Sequence, residues 1–177
     1  MTSLLRIDDI DIAIIVQATA WTETMPEVEE ICREIAATAL AAALAEGPAL
    51  AEHIELSIVL SDDAVVRDLN RTYRGQDKPT NVLSFASLDE DDAPVPEDGP
   101  LMLGDVVIAY ETTLAEAERD AKPLVDHLSH LVVHGVLHLV GFDHEEEDDA
   151  EEMEALETAI LASVGIPDPY SDSPQGA

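Results

Sequence analysis

Five of the six histidines in this sequence lie within 18 residues, from His127 to His144. His134 and His138 are four residues apart, so on a helix their rings are neighbours and can direct nitrogen atoms at one ion. Gly141 permits the turn that ends such a helix and brings His144 back toward the same ion. The spacing His-x3-His-x2-Gly-x2-His matches the zinc sites of a large class of metalloproteases. Because three imidazoles leave one zinc position open for water, we predict one catalytic zinc ion per chain.

The spacing alone does not decide which reaction the zinc ion supports. In those proteases a glutamate follows the first histidine and acts as the general base, whereas the residue here is Gly135. Since glycine cannot accept a proton, peptide hydrolysis by that route is disfavoured, while Lewis-acid action on a phosphoryl oxygen stays available. His130, one turn before the pair, is a candidate supporting residue or spare ligand. The general base is not assigned, because Asp143 fits a turn or a supporting role better, and Ser84 or zinc-bound hydroxide alone are weaker candidates.

The net charge is strongly negative, yet half of the positive residues lie in one segment. Eight Lys and Arg residues against 39 Asp and Glu give a formal net charge of −31, which repels phosphate backbones and anionic membranes. Residues 64–88, here called the basic segment, carry a net charge of +2 through Arg67, Arg71, Arg74 and Lys78. Guanidinium groups suit bidentate phosphate binding, although pairing with a nearby carboxylate is the alternative for any single arginine. A metal ion beside such a segment predicts cleavage of phosphodiester bonds.

Three stretches that contain these residues resemble the YbeY-type endoribonucleases, the rRNA maturation factors of bacteria. They are residues 69–85 (LNRTYRGQDKPTNVLSF), 103–105 (LGD) and 134–144 (HGVLHLVGFDH), and they occur in the family's order. The resemblance covers about residues 10–163. One departure is Phe142, where the family usually has tyrosine. The missing hydroxyl removes no ligand, so we expect the site to survive.

The resemblance implies both an activity and a set of site residues. His134, His138 and His144 would be the zinc ligands, and Arg74 would be the functionally important arginine beside the metal. The implied activity is cleavage of single-stranded RNA, with a role in maturing the 3′ end of small-subunit rRNA and in ribosome quality control. Further candidates for support or substrate contact are His130, Asp143, Arg71, Lys78 and Ser84.

Two other functions compete with the nuclease. One is a non-catalytic ribosome-assembly factor in which zinc only stabilises the fold and acidic faces bind basic ribosomal proteins. The other is a zinc metalloprotease, which Gly135 already disfavours. Residues 145–157 hold nine carboxylates in thirteen positions, and we interpret this acidic run as a solvated face rather than a protein contact. The expected partners are RNA and the ribosome or a basic ribosomal protein, with neither DNA nor a membrane among them.

Composition sets the remaining limits. No apolar run reaches the roughly 18 residues that a membrane helix needs, and the single cysteine, Cys32, cannot form an internal disulfide. A cytoplasmic location is therefore expected.

The elements that must position these residues follow from periodicity. Alternating apolar residues predict strands at 10–16 and 54–60, and apolar runs predict strands at 82–85 and 106–110. Capping residues and breakers predict five helices: from Thr24 to Gly47, and at 61–73, 112–121, 123–141 and 148–163. An exposed loop is expected at 89–100. We therefore predict one α+β metal-hydrolase domain over residues 1–165, with a small mixed sheet of about four strands, about five helices, and the metal site on a central helix and the following loop. Residues 166–177 are expected to form a flexible tail.

Overall fold

Four strands and six helices make up the part of the chain that the computed structural model describes, namely residues 10–45, 54–86, 101–140 and 147–169. The strands are β1 (Ile10–Val16), β2 (Ile54–Ser61), β3 (Val82–Ala86) and β4 (Leu101–Ala109). The helices are α1 (Ala20–Thr24), α2 (Val28–Ala45), α3 (Asp63–Arg74), α4 (Tyr110–Arg119), α5 (Leu124–Leu139) and α6 (Glu147–Ser163). The predicted α+β class is confirmed. The predicted 89–100 loop lies outside the described residues.

The sheet is mixed, as predicted, with the strand order β1-β2-β4-β3. β1, β2 and β4 are parallel, and β3 pairs with β4 in the antiparallel sense as an edge strand. In this register Ser84 on β3 lies opposite Val106 on β4, which in turn lies opposite Ile58 on β2. Ser84, near the end of the basic segment, therefore lies on the edge strand, directly beside the inner strand β4.

The described residues contain one helix that the sequence did not predict, α1, and the helix expected from Thr24 begins at Val28 as α2. The bounds of β4 also differ from the prediction. α1 is only five residues long, too short for a periodic pattern, and is anchored by the buried Trp21, whose indole Nε1 donates to the Ser61 carbonyl at 2.9 Å. β4 begins at Leu101 instead of residue 106 and ends before Tyr110, which opens α4. The Tyr110 ring meets Trp21 edge-on at 5.0 Å, and its hydroxyl is 2.7 Å from Thr24 Oγ1. Tyr110 therefore belongs to the contact between α4 and α1 rather than to the strand.

Alternating side chains of β4 divide the core between the two faces of the sheet. Val106 and Ile108 face the main core, which includes α2, α5 and α6, whereas Val107 and Ala109 face α3. α5 lies at the centre because it packs on β3 and β4 and also contacts α2, α4 and α6.

Cys32 on α2 is fully buried in this core, and desolvation raises the pKa of its thiol to about 12. It therefore packs as a small apolar residue rather than as a reactive thiol.

α3 carries the three arginines of the basic segment and is followed along the chain by the edge strand β3. Asp62 caps the start of this helix, with a side-chain carboxylate that accepts a hydrogen bond from the Val65 N–H at 2.9 Å, and Gly75 in the left-handed conformation (φ 69°) follows its last residue. Beyond this turn the Lys78 carbonyl accepts a hydrogen bond at 2.9 Å from Nδ2 of Asn70, a buried residue of α3. The chain thus folds back over the last turn of α3 before it enters β3.

The start of the predicted tail contacts the rest of the chain. Ile166 packs against the main core, and Lys122 Nζ donates to the Pro169 carbonyl at 3.2 Å. Residues 170–177 lie outside the described part. No helix in the described ranges is long and apolar enough to cross a membrane.

Candidate metal centre

α5 presents its histidines to two different carboxylates. His127, at the start of the helix, has Nε2 2.8 Å from Glu116 Oε1 on α4, and the same oxygen accepts from Asn81 Nδ2 at 2.9 Å. His130 and His134, further along, both contact Glu157 on α6. The histidines of α5 therefore fall into two groups, and His127 belongs to the contact between α4 and α5.

His134 and His138 converge as their spacing predicts. Their Nε2 atoms are 3.1 Å apart, and their ring centroids are 4.6 Å apart. Two nitrogens bound tetrahedrally to one zinc ion at about 2.0–2.1 Å lie roughly 3.3 Å from each other. The pair therefore has the spacing of two ligands of one ion.

Four residues of the predicted site lie outside the described residues. They are Asp143 and the predicted third ligand His144, together with Gly141 and Phe142. Within the described ranges, no group of three or more His, Cys, Asp or Glu side chains forms a metal site. The ligand set predicted from the sequence thus stays a prediction.

Glu157 is the site residue that the sequence analysis missed. Its side chain is fully buried, and its Oε2 lies 2.7 Å from His134 Nδ1 while its Oε1 lies 3.1 Å from His130 Nε2. We expected the whole acidic run to be solvated, and this is wrong for Glu157, although Glu154 and four other described carboxylates of the run are exposed. The available signal was position: Glu157 follows the buried Met153 by four residues and precedes the buried Ile160 by three, so it falls on the apolar stripe of α6.

Glu157 and His138 contact different nitrogens of the His134 ring. A carboxylate accepts, so His134 Nδ1 carries the hydrogen of this contact and a neutral ring keeps its lone pair on Nε2. That Nε2 is the atom that faces His138. A ligand histidine whose other nitrogen donates to a carboxylate is the usual arrangement at protein metal sites, so the residues present fit a zinc ion.

Gly135 is required by packing, which also explains why no general base can stand there. A Cβ atom at this position would lie 2.6 Å from Val106 Cγ1 and 3.0 Å from Cγ2. The backbone of α5 therefore rests directly on β4, and position 135 points into the sheet. The glutamate of the protease motif has no room in this structure.

This contact gives the first prediction. Overpacking should cost about 1–3 kcal/mol, against the roughly 1 kcal/mol by which alanine favours a helix, so Gly135→Ala should destabilise the protein by up to about 2 kcal/mol in all. In a Val106→Ala background both clashing methyl groups are gone, so the same substitution should become neutral or stabilising. Urea unfolding of the four proteins of this double-mutant cycle measures the change. Equal costs in the two backgrounds would contradict the close contact.

The arginines of the basic segment have different partners. Arg67 makes two hydrogen bonds to Asp77 at 2.8 and 3.2 Å, which lower the pKa of that carboxylate, and Arg71 contacts Asp68 at 3.0 Å. Arg74 instead donates from Nη2 to the Ser84 carbonyl at 2.9 Å and lies 5.8 Å from the centre of the Phe85 ring. Pairing with carboxylates therefore applies to the first two arginines. In the described ranges, Arg74 forms no ion pair.

Ser84 connects Arg74 with the helix that carries the histidines. Its carbonyl accepts from Arg74, and its hydroxyl donates to the Gly135 carbonyl at 3.4 Å. Gly135 directly follows His134 in the chain. The structure thus joins the arginine to the predicted metal pair through one residue of β3. Lys78, the remaining positive residue of the segment, is exposed.

The fold and this site define an α+β protein with a histidine pair suited to metal binding beside an edge strand that Arg74 of α3 contacts. The family model described as Endoribonuclease YbeY matches residues 17–165. Endoribonuclease YbeY from Paramagnetospirillum magneticum is 57% identical over 164 residues, covering 92% of this chain and 97% of the relative. Endoribonuclease YbeY from Bradyrhizobium diazoefficiens is 52% identical over 161 residues, covering 91% and 85%. This chain belongs to the YbeY endoribonuclease family, and the family and enzyme class predicted from the three sequence stretches are confirmed.

A solved structure gives a more distant likeness. The solution structure of a Thermotoga maritima protein is 20% identical, with a TM-score of 0.45, and the match covers 92% of this chain and 99% of the other. Family membership rests on the sequence relatives, not on this likeness.

Proposed function

We propose that this chain is a single-strand-specific, zinc-dependent endoribonuclease that matures the 3′ end of small-subunit rRNA and acts in ribosome quality control in the cytoplasm. The observation that carries the proposal is the 3.1 Å approach of the His134 and His138 Nε2 atoms in a member of an endoribonuclease family. The substrate is RNA. The ribosome or a basic ribosomal protein is the expected partner, because a net charge of −31 gives little general attraction for RNA.

His134, His138 and His144 would hold the zinc ion. When bound, the ion supplies Lewis acidity, which withdraws electrons from a phosphoryl oxygen and makes a water molecule easier to deprotonate. The protein's own part is to keep the His134 ring in the tautomer that faces the ion, through the hydrogen bond to Glu157.

Arg74 would bind the phosphate that is cleaved. A guanidinium has five N–H donors, and the Ser84 carbonyl accepts only one hydrogen bond from Arg74 at 2.9 Å. This anchor, together with the Phe85 ring beside it, holds the exposed guanidinium at the edge of the sheet. The remaining donors suit a negatively charged oxygen. Arg71 and Lys78, both exposed, would add charge along the RNA backbone; the Arg71–Asp68 ion pair is solvent-exposed and therefore weak enough to exchange for a phosphate.

An exposed aromatic ring beside Arg74 supports the preference for single strands. Tyr73 is 67% exposed and meets Phe85 edge-on at 5.4 Å. Unpaired bases stack on such rings, whereas bases within a duplex are already stacked on one another. An exposed tyrosine next to a phosphate-binding arginine therefore favours an unpaired RNA segment.

A non-catalytic assembly factor is the second candidate, and the acidic face of α6 favours it. The exposed carboxylates are Asp148, Asp149, Glu151, Glu152 and Glu154. They suit contact with a basic ribosomal protein. The two candidates differ in one respect: only the nuclease requires Arg74 once zinc is bound.

The proposal is tested on the purified full chain with two RNAs of one sequence, one single-stranded and one in a duplex. We expect one zinc ion per chain by elemental analysis, cleavage of the single strand, and at least a tenfold slower cleavage of the duplex. A chelator should abolish cleavage, and added Zn²⁺ should restore it. Cleavage that persists after the metal has been removed, or that is equal on both RNAs, would contradict the proposal.

A further inference from the structure

We infer that Glu157 of the acidic helix α6 is a positioning residue that holds His134 ready to bind the metal, with His130 holding the other oxygen of the same carboxylate. This inference rests on the proposed zinc site. It assigns a function to a residue that lies 13 positions beyond the last predicted ligand.

Glu157 is fully buried. A carboxylate that is fully removed from water loses its hydration, so it persists only where hydrogen bonds replace it. Here each oxygen has a histidine nitrogen within 3.1 Å. The carboxylates beside it on α6, such as Glu154, remain in water. Glu157 is therefore used for a specific contact rather than for solubility.

The two oxygens of Glu157 contact two different histidines of α5. Oε2 accepts from His134 Nδ1 at 2.7 Å, a short distance typical of a hydrogen bond to a charged acceptor. This contact fixes both the tautomer and the rotation of the ring, and it directs Nε2 at His138. Oε1 lies 3.1 Å from His130 Nε2, so a second histidine keeps the carboxylate from turning away. His130 thus acts on the site through Glu157.

Packing in the core fixes the position of α6, and with it Glu157. α6 packs against α5 and α2, and Met153 and Ile160, one on each side of Glu157 along the helix, are buried in the main core. The carboxylate is therefore held by the core itself, and it reaches α5 at the level of His130 and His134. A rigid support of this kind keeps a ligand oriented before the metal arrives.

The test uses three variants of the full chain. Glu157→Met removes the acceptor and keeps similar bulk, Glu157→Gln keeps an acceptor oxygen without the charge, and Glu154→Gln removes one charge from the exposed face of the same helix. Zinc affinity is measured by competition with a chromophoric chelator, and the melting temperature of each metal-free protein shows that it folds. The His134 tautomer is read from the ring ¹⁵N chemical shifts of the metal-free protein.

We expect the methionine variant to bind zinc about 10- to 100-fold more weakly and the glutamine variant to fall between it and the unmodified protein. Glu154→Gln should bind zinc as the unmodified protein does. The ¹⁵N shifts should show the Nδ1–H tautomer of His134 in the unmodified and glutamine proteins, and a loss of this preference in the methionine variant. A purely structural role would lower the melting temperature without changing the tautomer.

Two outcomes would overturn the inference. One is an unmodified protein whose metal-free His134 carries its proton on Nε2. The other is a pair of Glu157 variants that bind zinc within twofold of the unmodified protein. Failure of the proposed zinc site gives a different pattern, in which His138→Ala also leaves zinc affinity unchanged. If the methionine variant does not fold, the glutamine variant and the tautomer of the unmodified protein decide the question.

Discussion

Replacing His138 by alanine should remove zinc from the protein and slow the cleavage of single-stranded RNA by more than about a hundredfold. The Nε2 atom of His138 lies 3.1 Å from that of His134, so the substitution deletes one of two converging nitrogens. Loss of a residue that merely supports a ligand typically costs 10–100-fold in metal affinity or activity, and loss of a ligand should exceed this. Elemental analysis and cleavage of an end-labelled RNA measure the two effects.

The zinc dependence of stability gives an independent measurement of the same site. A ligand that binds only the folded state raises the melting temperature, so a chelator should lower it for the unmodified protein. For His138→Ala the melting temperature should not respond to the chelator. His138→Cys supplies a thiolate, another good zinc ligand, and should recover part of the zinc content.

A matched histidine of the same helix provides the control. His127 is buried and contacts Glu116 rather than the His134–His138 pair, so His127→Gln should keep its zinc and its RNA cleavage even where stability falls. Equal zinc loss in the two variants would show that damage to α5, and not loss of a ligand, explains the effect. A His138→Ala protein that retains both zinc and activity would disprove the proposed site.

The sequence predicted what depends on local spacing. The helix that carries His134 and His138 and the convergence of their rings follow from the period of 3.6 residues, which acts over short stretches of chain. The strands follow from the period of 2, and the mixed sheet from the order of the predicted helices and strands. From the sequence, Gly135 indicates only that the glutamate base of the protease motif is absent. Its positive reason, contact with Val106, depends on how closely the helix approaches the sheet, and spacing along one helix does not report that distance.

Contacts between distant segments were harder to predict. Glu157 looked like one more carboxylate of an acidic run, because composition outweighed its place on the apolar stripe of α6. The division among the arginines was likewise hidden. Asp77 reaches Arg67 only because the chain turns back at Gly75, so the sequence could not distinguish the paired Arg67 from Arg74 at the sheet edge.

Arg74→Ala is the prediction that separates the nuclease from the assembly factor. If the guanidinium binds the reacting phosphate, its removal should lower kcat by about 10²–10³-fold, the usual cost of losing a donor to developing charge. The zinc content should stay at one ion per chain, because Arg74 contacts the Ser84 carbonyl and the Phe85 ring and, among the described residues, none of the histidines. An assembly factor without catalysis predicts no effect of this substitution on function while zinc stays bound.

Charge and geometry can be separated with two further variants. Arg74→Lys keeps the charge and a donor for the Ser84 carbonyl but loses the planar fork, so its rate should lie between those of the unmodified protein and the alanine variant. Arg119→Ala removes the same charge from an exposed ion pair with Asp120 on α4 and should leave cleavage unchanged. If Arg119→Ala slows cleavage as much as Arg74→Ala does, the effect belongs to net charge and not to this arginine.

The salt dependence of RNA binding measures how many phosphate contacts depend on Arg74. Each phosphate contact on a single strand contributes about 0.7 to the slope of log affinity against log salt concentration, so Arg74→Ala should reduce the slope by about that amount. With a net charge of −31, the protein has little long-range attraction for RNA, and a single local contact should be a large share of the total slope. The strong negative charge therefore makes the contribution of Arg74 easier to measure. An unchanged slope, together with unchanged cleavage, would remove Arg74 from the RNA-binding site.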